Sequence, residues 1–413
     1  LLPEFSLSSQ GQQDLLVKSY HKPKPGATKT STDLSFPVSQ SQGVTGQQVL
    51  LGTTYEITVP PTGKPAETDA SEPKRKINRF AIQSVSKTIM PEERVKNCMR
   101  LVKPDRKTVD ILKSREKVFY SGLTVCGSIW ICPICAAKIS ERRRNELKTA
   151  VATAKKNGYQ VLLLTQTIPH YSNHRLKPLL AKFANARTKQ RERKSWKTLS
   201  SRIGLAGSLR SLELTHGQNG WHIHTHELLF IEPGAEKLNI PATMLDILST
   251  WQKACKSAGL PEPSVEHGVD LRDGSYADQY VNKWGLEEEM TKSHIKHGRE
   301  GNHTPFDFLR IVLGTGDCYF ADLFREYAKA FKGKRQLVWS RGLRDLLGLE
   351  AELTDLELAE KEEEHAEILA SLSLAQWRFI LQKEVRGEVL EHARLNGLPG
   401  VLAFLNGLRC QPH

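Results

Sequence analysis

Trp221-His222-Ile223-His224-Thr225-His226-Glu227-Leu228-Leu229-Phe230 is the stretch on which the fold turns. At the period of two that a strand imposes, His222, His224 and His226 share one face, and Ile223, Thr225 and Glu227 share the other. Upstream, Ser208 to Thr215 also alternates, and Gly217-Gln218-Asn219-Gly220 between the two runs has the composition of a hairpin turn. A turn at Asn219-Gly220 sets Glu213 opposite His226, whereas a loop running from Gly217 to Gly220 sets it opposite His224. Either register gathers two imidazoles and a carboxylate on one face. Mixed nitrogen and oxygen donors with open positions suit Mg, Mn or a similar Lewis acid holding a phosphate oxygen better than a closed structural zinc. The alternative is a solvent-facing strand with incidental histidines.

Working outward, Tyr159 to Ile168 is a short apolar, Thr-rich run bounded by Gly158 and Pro169, as in a buried strand. Ile139 to Lys155 has a helical period and carries Arg142, Arg143 and Arg144. Residues 177–200 read as a basic helix with Arg187, Lys189, Arg191, Arg193 and Lys194 around Phe183 and Trp196, either a solvated face or one turned to DNA. Further helices are expected at about 239–258, 274–290 and 317–332. In the second of these, helical spacing puts Tyr276, Tyr280 and Lys283 on one face. A phenol that attacks a phosphodiester conserves the bond energy in a covalent intermediate, and a nearby ammonium helps deprotonate it or stabilises charge. The same spacing also fits an aromatic core stripe of Tyr276, Tyr280 and Trp284. The order of elements is α+β with a central antiparallel β-sheet and flanking helices.

Composition narrows the class of partner. With 59 Lys and Arg against 46 Asp and Glu the chain carries +13, which favours a polyanion. No apolar run approaches the roughly 18 residues of a membrane span, and the helix at 177–200 is too polar for a membrane-surface role. A cytoplasmic location is expected. The 7 cysteines, an odd number, fit a reducing compartment better than a disulfide framework. Cys126, Cys132 and Cys135 include a Cys-Pro-Ile-Cys knuckle, and Cys98 completes a tetrahedral set for zinc; reduced buried thiols are the other reading. Cys255, Cys318 and Cys410 are isolated, and His294, His297 and His303 lie in a polar segment that is solvated or faces DNA. Residues 1–75, rich in Ser, Gln, Thr, Gly and Pro, are expected to be disordered, residues 76–138 to form a Cys-rich zinc segment, and residues 346–413 a separate C-terminal helical module.

Leu162-Leu163-Leu164-Thr165-Gln166-Thr167, then His224-Thr225-His226, then Tyr280-Val281-Asn282-Lys283 occur in an order that resembles the HUH endonucleases of rolling-circle plasmids and single-stranded DNA phages. The resemblance is to plasmid replication proteins with a Cys-rich segment upstream, and it covers about residues 98–345. It implies an HUH endonuclease domain at 139–345, with the histidines on a central strand and the tyrosine on an adjacent helix. It further implies nicking at the origin that leaves a 5′-phosphotyrosine and a priming 3′-hydroxyl. In that comparison His224 and His226 are metal ligands, Glu213 the third, Tyr280 the nucleophile and Lys283 its helper. The implied cofactor is Mg or Mn, and the implied partners are single-stranded or cruciform origin DNA with host helicase and polymerase.

Two departures matter. Thr225 stands where the family usually has a bulky hydrophobic residue, which leaves His222-Ile223-His224 as an alternative frame. Tyr276 stands where some relatives have Glu, and the pair Tyr276 and Tyr280 resembles the two-tyrosine arrangement of certain phage initiators and transposases. An HUH transposase shares this motif order, and a non-catalytic zinc-containing DNA-binding protein is the rival of a different class.

Overall fold

The structure, a computed structural model, describes residues 47–50, 53–56, 72–115, 117–235, 238–273, 301–361 and 365–410. Within the segment expected to be disordered, β1 (Gln47–Leu50) and β2 (Thr53–Glu56) pair as an antiparallel hairpin, and α1 begins inside it, at Glu72, running to Ile89. The rest of residues 1–71 lies outside the described residues.

Two antiparallel sheets organise the remainder. The smaller joins β3 (Thr108–Ser114) to β4 (Lys117–Ser121) and, from the far end of the chain, β10 (Glu367–Ser373). The larger contains β5 (Gln160–Thr167), β6 (Leu205–Gly217), β7 (Gly220–Ile231), β8 (Val269–Arg272) and β9 (Leu337–Trp339) in the order β8-β5-β7-β6-β9. β7, the histidine strand, is therefore central, and its far half is apolar on both faces: Leu228, Leu229 and Phe230 are all fully buried. Leu228 and Phe230 pack with Leu147 and Ala150 of α2 (Pro133–Lys156) on one face of the sheet. Ile223 and Leu229 join the main core on the other, where α3 (Leu176–Glu192) and α5 (Ile240–Ser257) lie.

The basic stretch expected as one helix is two. α3 gives way to α4 (Lys194–Arg202) at Arg193, whose extended backbone breaks the helix and whose guanidinium donates to Lys253 O on α5 at 3.0 Å. The bend brings the Arg191 guanidinium over the Trp196 ring at 3.8 Å. Downstream come α6 (Pro305–Thr315), started by a Thr304–Asp307 capping box, and α7 (Cys318–Phe331), followed by the short α8 (Leu343–Leu346) and α9 (Asp355–Glu360).

The C-terminal segment is not a separate helical module. Its strand β10 completes the small sheet, and α10 (Leu374–Lys383) and α11 (Arg386–Arg409) close one core with it: Val109, Ile111, Leu372, Ile380 and Val389 are buried together. Arg386 fastens this layer to α1. Its side chain is fully buried, donates to Gln83 Oε1 at 2.8 Å and Met99 O at 3.2 Å, and lies 4.7 Å from the Phe80 ring. The acidic run offered no sign of a strand because Glu357 to Glu367 masks the alternation of Ala370 and Leu372 that follows it.

Candidate functional site

Strand register builds the first cluster. Glu213 faces His224 across the β6–β7 ladder, and the ladder continues to Gly217 opposite Gly220, so the turn residues are Gln218 and Asn219. This is the register of the longer loop, closed by one further pair. Gly220 makes it possible: its φ is +80°, and a Cβ there would lie 2.9 Å from Tyr171 O. Glu213 Oε2 sits 3.1 Å from His224 Nε2 and 3.6 Å from His226 Nε2, and the three potential ligand atoms lie within 4.8 Å of one another. From the other side, Thr165 of β5 pairs with His226 and places its Oγ1 3.0 Å from Nδ1, which turns Nε2 toward Glu213.

These donors fit a divalent cation. Glu213 is only 9 % exposed, and a cation held between this buried carboxylate and the two imidazoles would offset the cost of its burial. Two nitrogens and an oxygen are what a catalytic site with open positions presents. His222 stands apart. Its Nε2 is 3.3 Å from Thr167 Oγ1, its ring stacks on His170 at 4.8 Å, and burial together with the neighbouring His224 holds its pKa down to about 4. The converging pair is therefore His224 and His226, not the frame beginning at His222. His303 pairs by backbone with His216. Tyr276, Tyr280, Lys283, His294 and His297 lie outside the described residues.

The opposite face of the same strand explains Thr225 and corrects the reading of two arginines. Thr225 is fully buried, and its hydroxyl accepts from Arg187 Nη1 at 3.2 Å. Glu227, also buried, receives Arg187 at 2.9 Å, Arg191 at 2.5 Å and Ser208 Oγ at 2.6 Å. Arg187 and Arg191 are thus turned into the protein and not toward a DNA strand. Lys189 and Arg193 reach toward the end of α5, bonding Ser257, and Lys194 is exposed. Burial alone would raise the Glu227 pKa, but Arg191 and Arg187 outweigh it and bring it down to about 2. A carboxylate with a lowered folded pKa contributes stability above its unfolded value, and that contribution fades as pH falls through about 2. Glu227→Gln is expected to lower the unfolding free energy by about 3–5 kcal/mol, because it leaves buried guanidinium groups uncompensated. Urea denaturation at pH 7 checks the loss, and an unchanged midpoint would contradict it.

The second cluster joins Cys98, after the turn Arg94–Asn97, Cys126, after β4, and Cys132 and Cys135, at the start of α2. Sulfurs stand 3.5 Å apart for Cys98–Cys135 and 3.6 Å for both Cys126–Cys135 and Cys98–Cys132. Tetrahedral zinc with bonds of about 2.3 Å spaces its sulfurs by about 3.8 Å, whereas a disulfide needs about 2.0 Å. Ser128 N donates to Cys126 Sγ at 3.4 Å, Cys135 N to Cys132 Sγ at 3.5 Å, and Gln83 Nε2 to Cys132 Sγ at 3.4 Å. The sulfur hydrogen bonds that push the Cys126 pKa down push that of Cys98 up, and burial with the same bonds raises that of Cys132, so the thiols share one negative charge on Cys126. The donor set fits zinc. Cys255 is buried on α5, and Cys318 and Cys410 are exposed.

Fold and site together define an α+β protein with an antiparallel sheet and two donor clusters, one oxygen and nitrogen, one sulfur. Residues 122–385 match the family model described as Replication protein. The chain is 30 % identical over 306 residues to "Protein rep" of Streptomyces lividans, covering 57 % of this chain and 67 % of that one. It is also 30 % identical over 170 residues to "Neomycin resistance protein" of Streptomyces cyanogenus, covering 33 % of this chain and 39 % of that one. No solved structure matches. The chain belongs to the replication protein family. The matched span contains Glu213, His224, His226 and three of the clustered cysteines, and it excludes Cys98. No helix among the described residues is long and apolar enough to cross a membrane.

Proposed function

We propose that this replication protein initiates plasmid rolling-circle replication by nicking one strand at the origin, as an HUH endonuclease. The observation that carries the reading is the convergence of Glu213, His224 and His226 on the central strands of an antiparallel sheet in a chain of this family. Glu213, His224 and His226 would hold Mg or Mn, which would supply a Lewis acid for the scissile phosphoryl group. Thr165 orients His226, and Glu213 holds both imidazoles in place. Tyr280 is the nucleophile: its phenolate oxygen bonds to phosphorus, the bond from phosphorus to the 3′-oxygen breaks, and that oxygen takes a proton. The products are a 5′-phosphotyrosine and a free 3′-hydroxyl. Lys283 stabilises the phenolate, and Tyr276 accepts the strand in the second transfer that releases a circle.

Zinc in the cysteine cluster is structural. Partners are single-stranded or cruciform origin DNA, favoured by the charge of +13, and host helicase and polymerase. Free cysteines throughout the described residues suit a reducing cytoplasm.

The test is adduct formation. With Mg or Mn and single-stranded origin DNA, the full chain is expected to form an SDS-resistant 5′ adduct that Tyr280→Phe abolishes and Tyr276→Phe retains. Loss in Tyr276→Phe with retention in Tyr280→Phe reverses the roles of the two tyrosines. DNA binding without any adduct, unaffected by changing His224 and His226 to Ala, marks a non-catalytic DNA-binding protein and overturns the reading.

A further inference from the structure

On the face of the large sheet opposite Glu213, a cleft of about 210 Å³ opens between α3 and the β6–β9 edge. Leu180 and Phe183 of α3 and Leu212 of β6 form its apolar wall, and Arg210, Lys334, Arg335 and Gln336 supply its polar groups. No carboxylate of the described residues lines it.

Charge around this cleft does not balance. Glu227 lies opposite Arg210 in the β6–β7 register, yet its oxygens are taken by Arg187, Arg191 and Ser208. Arg210 has no ion-pair or hydrogen-bond partner among the described residues, and it shares its surroundings with two other guanidinium groups and a single carboxylate. Burial, with Arg187 next, pushes its pKa down to about 10, which still leaves it charged at neutral pH. Arg335 reaches only Glu352, at 3.7 Å and largely exposed, a pair of little strength. A partly buried cation without a counter-charge is costly, and an anion in the cleft would offset that cost.

We propose that this cleft binds a phosphate group, held by Arg210 with Lys334 and Arg335, whose source is the backbone of DNA passing behind the sheet. Guanidinium groups match the geometry of phosphate oxygens, and Lys334 adds a point charge. The volume favours one phosphate over a whole nucleotide, because sites that engulf a small molecule run to about 300–1,000 Å³. The cleft requires only a phosphate ligand; its DNA source rests on the replication reading. Its distance from the nicking chemistry, on the other side of the sheet, makes the two separable.

The experiment compares the full wild-type chain with Arg210→Gln in three measurements. These are binding to single-stranded DNA across a salt series without divalent metal, thermal stabilisation by inorganic phosphate against chloride at matched ionic strength, and adduct formation at saturating DNA. Arg210→Gln is expected to weaken DNA binding about tenfold and to reduce the salt slope by about one. Adduct formation at saturating DNA is expected to be unchanged. Lost phosphate stabilisation with unaltered DNA binding keeps the site and assigns it to free phosphate. If neither changes, the proposal is overturned. Lys334→Gln, at a residue that precedes β9 and belongs to no strand, is expected to cause a smaller loss of the same kind, which separates anion binding from misfolding of the Arg210 variant. Failure of the adduct in the wild type would sink the nicking mechanism without touching the phosphate measurements.

Discussion

Replacing Cys132 with Ser is expected to release zinc from the chain and to lower its melting temperature by about 10 °C. Cys132 caps α2 by accepting Cys135 N, and its sulfur lies 3.6 Å from that of Cys98. Serine is itself a strong helix cap, so the substitution preserves that hydrogen bond and isolates the loss of a metal ligand. Structural zinc supplies roughly 10–16 kcal/mol in small domains that have little else. This chain has extensive cores, so a fraction of about 3–5 kcal/mol is expected, and at roughly 2–4 °C per kcal/mol that is about 10 °C. The loss should reach the C-terminal layer, because Gln83 contacts Cys132 Sγ through Nε2 and accepts Arg386 through Oε1. Metal analysis and circular dichroism on the same preparation check both halves. Cys318→Ser, at an exposed position, should keep its zinc and its melting point. A Cys132→Ser chain with unaltered zinc and melting point would show that the sulfurs hold no structural ion.

The sequence made this cluster legible through the Cys-Pro-Ile-Cys knuckle, while the parts that lock it in place were not. Gln83 and Arg386 are some 300 residues apart (|i−j| = 303), and nothing local marks their meeting. The histidine strand was easier to read because alternation is a local property. It placed His224, His226 and Glu213 on one face without further information, and only the choice between registers needed the structure. In the register observed, Gly220 has a left-handed backbone and comes close to Tyr171 and Ser172, an approach to a loop 49 residues upstream of it that no hairpin rule contains. Arg187 and Arg191 show the opposite failure. Their basic spacing suggested a surface, yet Glu227 on the apolar side of β7 was the warning, since a carboxylate on that face must find cations. The reading of Tyr276 and Tyr280, by contrast, rests on spacing alone.

His226→Ala and His224→Ala should each reduce nicking by at least about a hundredfold, which is the upper end of what losing an outer partner of a metal ligand costs. Each imidazole lies within reach of Glu213, at 3.1 Å for His224 and 3.6 Å for His226, so removing either leaves two donors in place of three. Manganese binding, followed by calorimetry, should weaken in parallel. Stability supplies the control, because loss of a ligand differs from loss of fold: the melting temperature of the metal-free variants should stay close to that of the metal-free parent. His222→Ala tests the frame. Its ring is engaged by Thr167 and stacked on His170, outside the converging group, so manganese affinity should change by less than about tenfold. If His222→Ala abolishes manganese binding while His226→Ala preserves it, the pair is His222 and His224. The strand would then have to slip or twist in the functional state so that Glu213, now opposite His224, serves the imidazole two residues before it and not the one two residues after. Thr165 argues against that slip, because its bond to His226 Nδ1 is made by the interior ladder of β5 with β7, and a two-residue shift of β7 would bring His224 opposite Thr165 and break that bond.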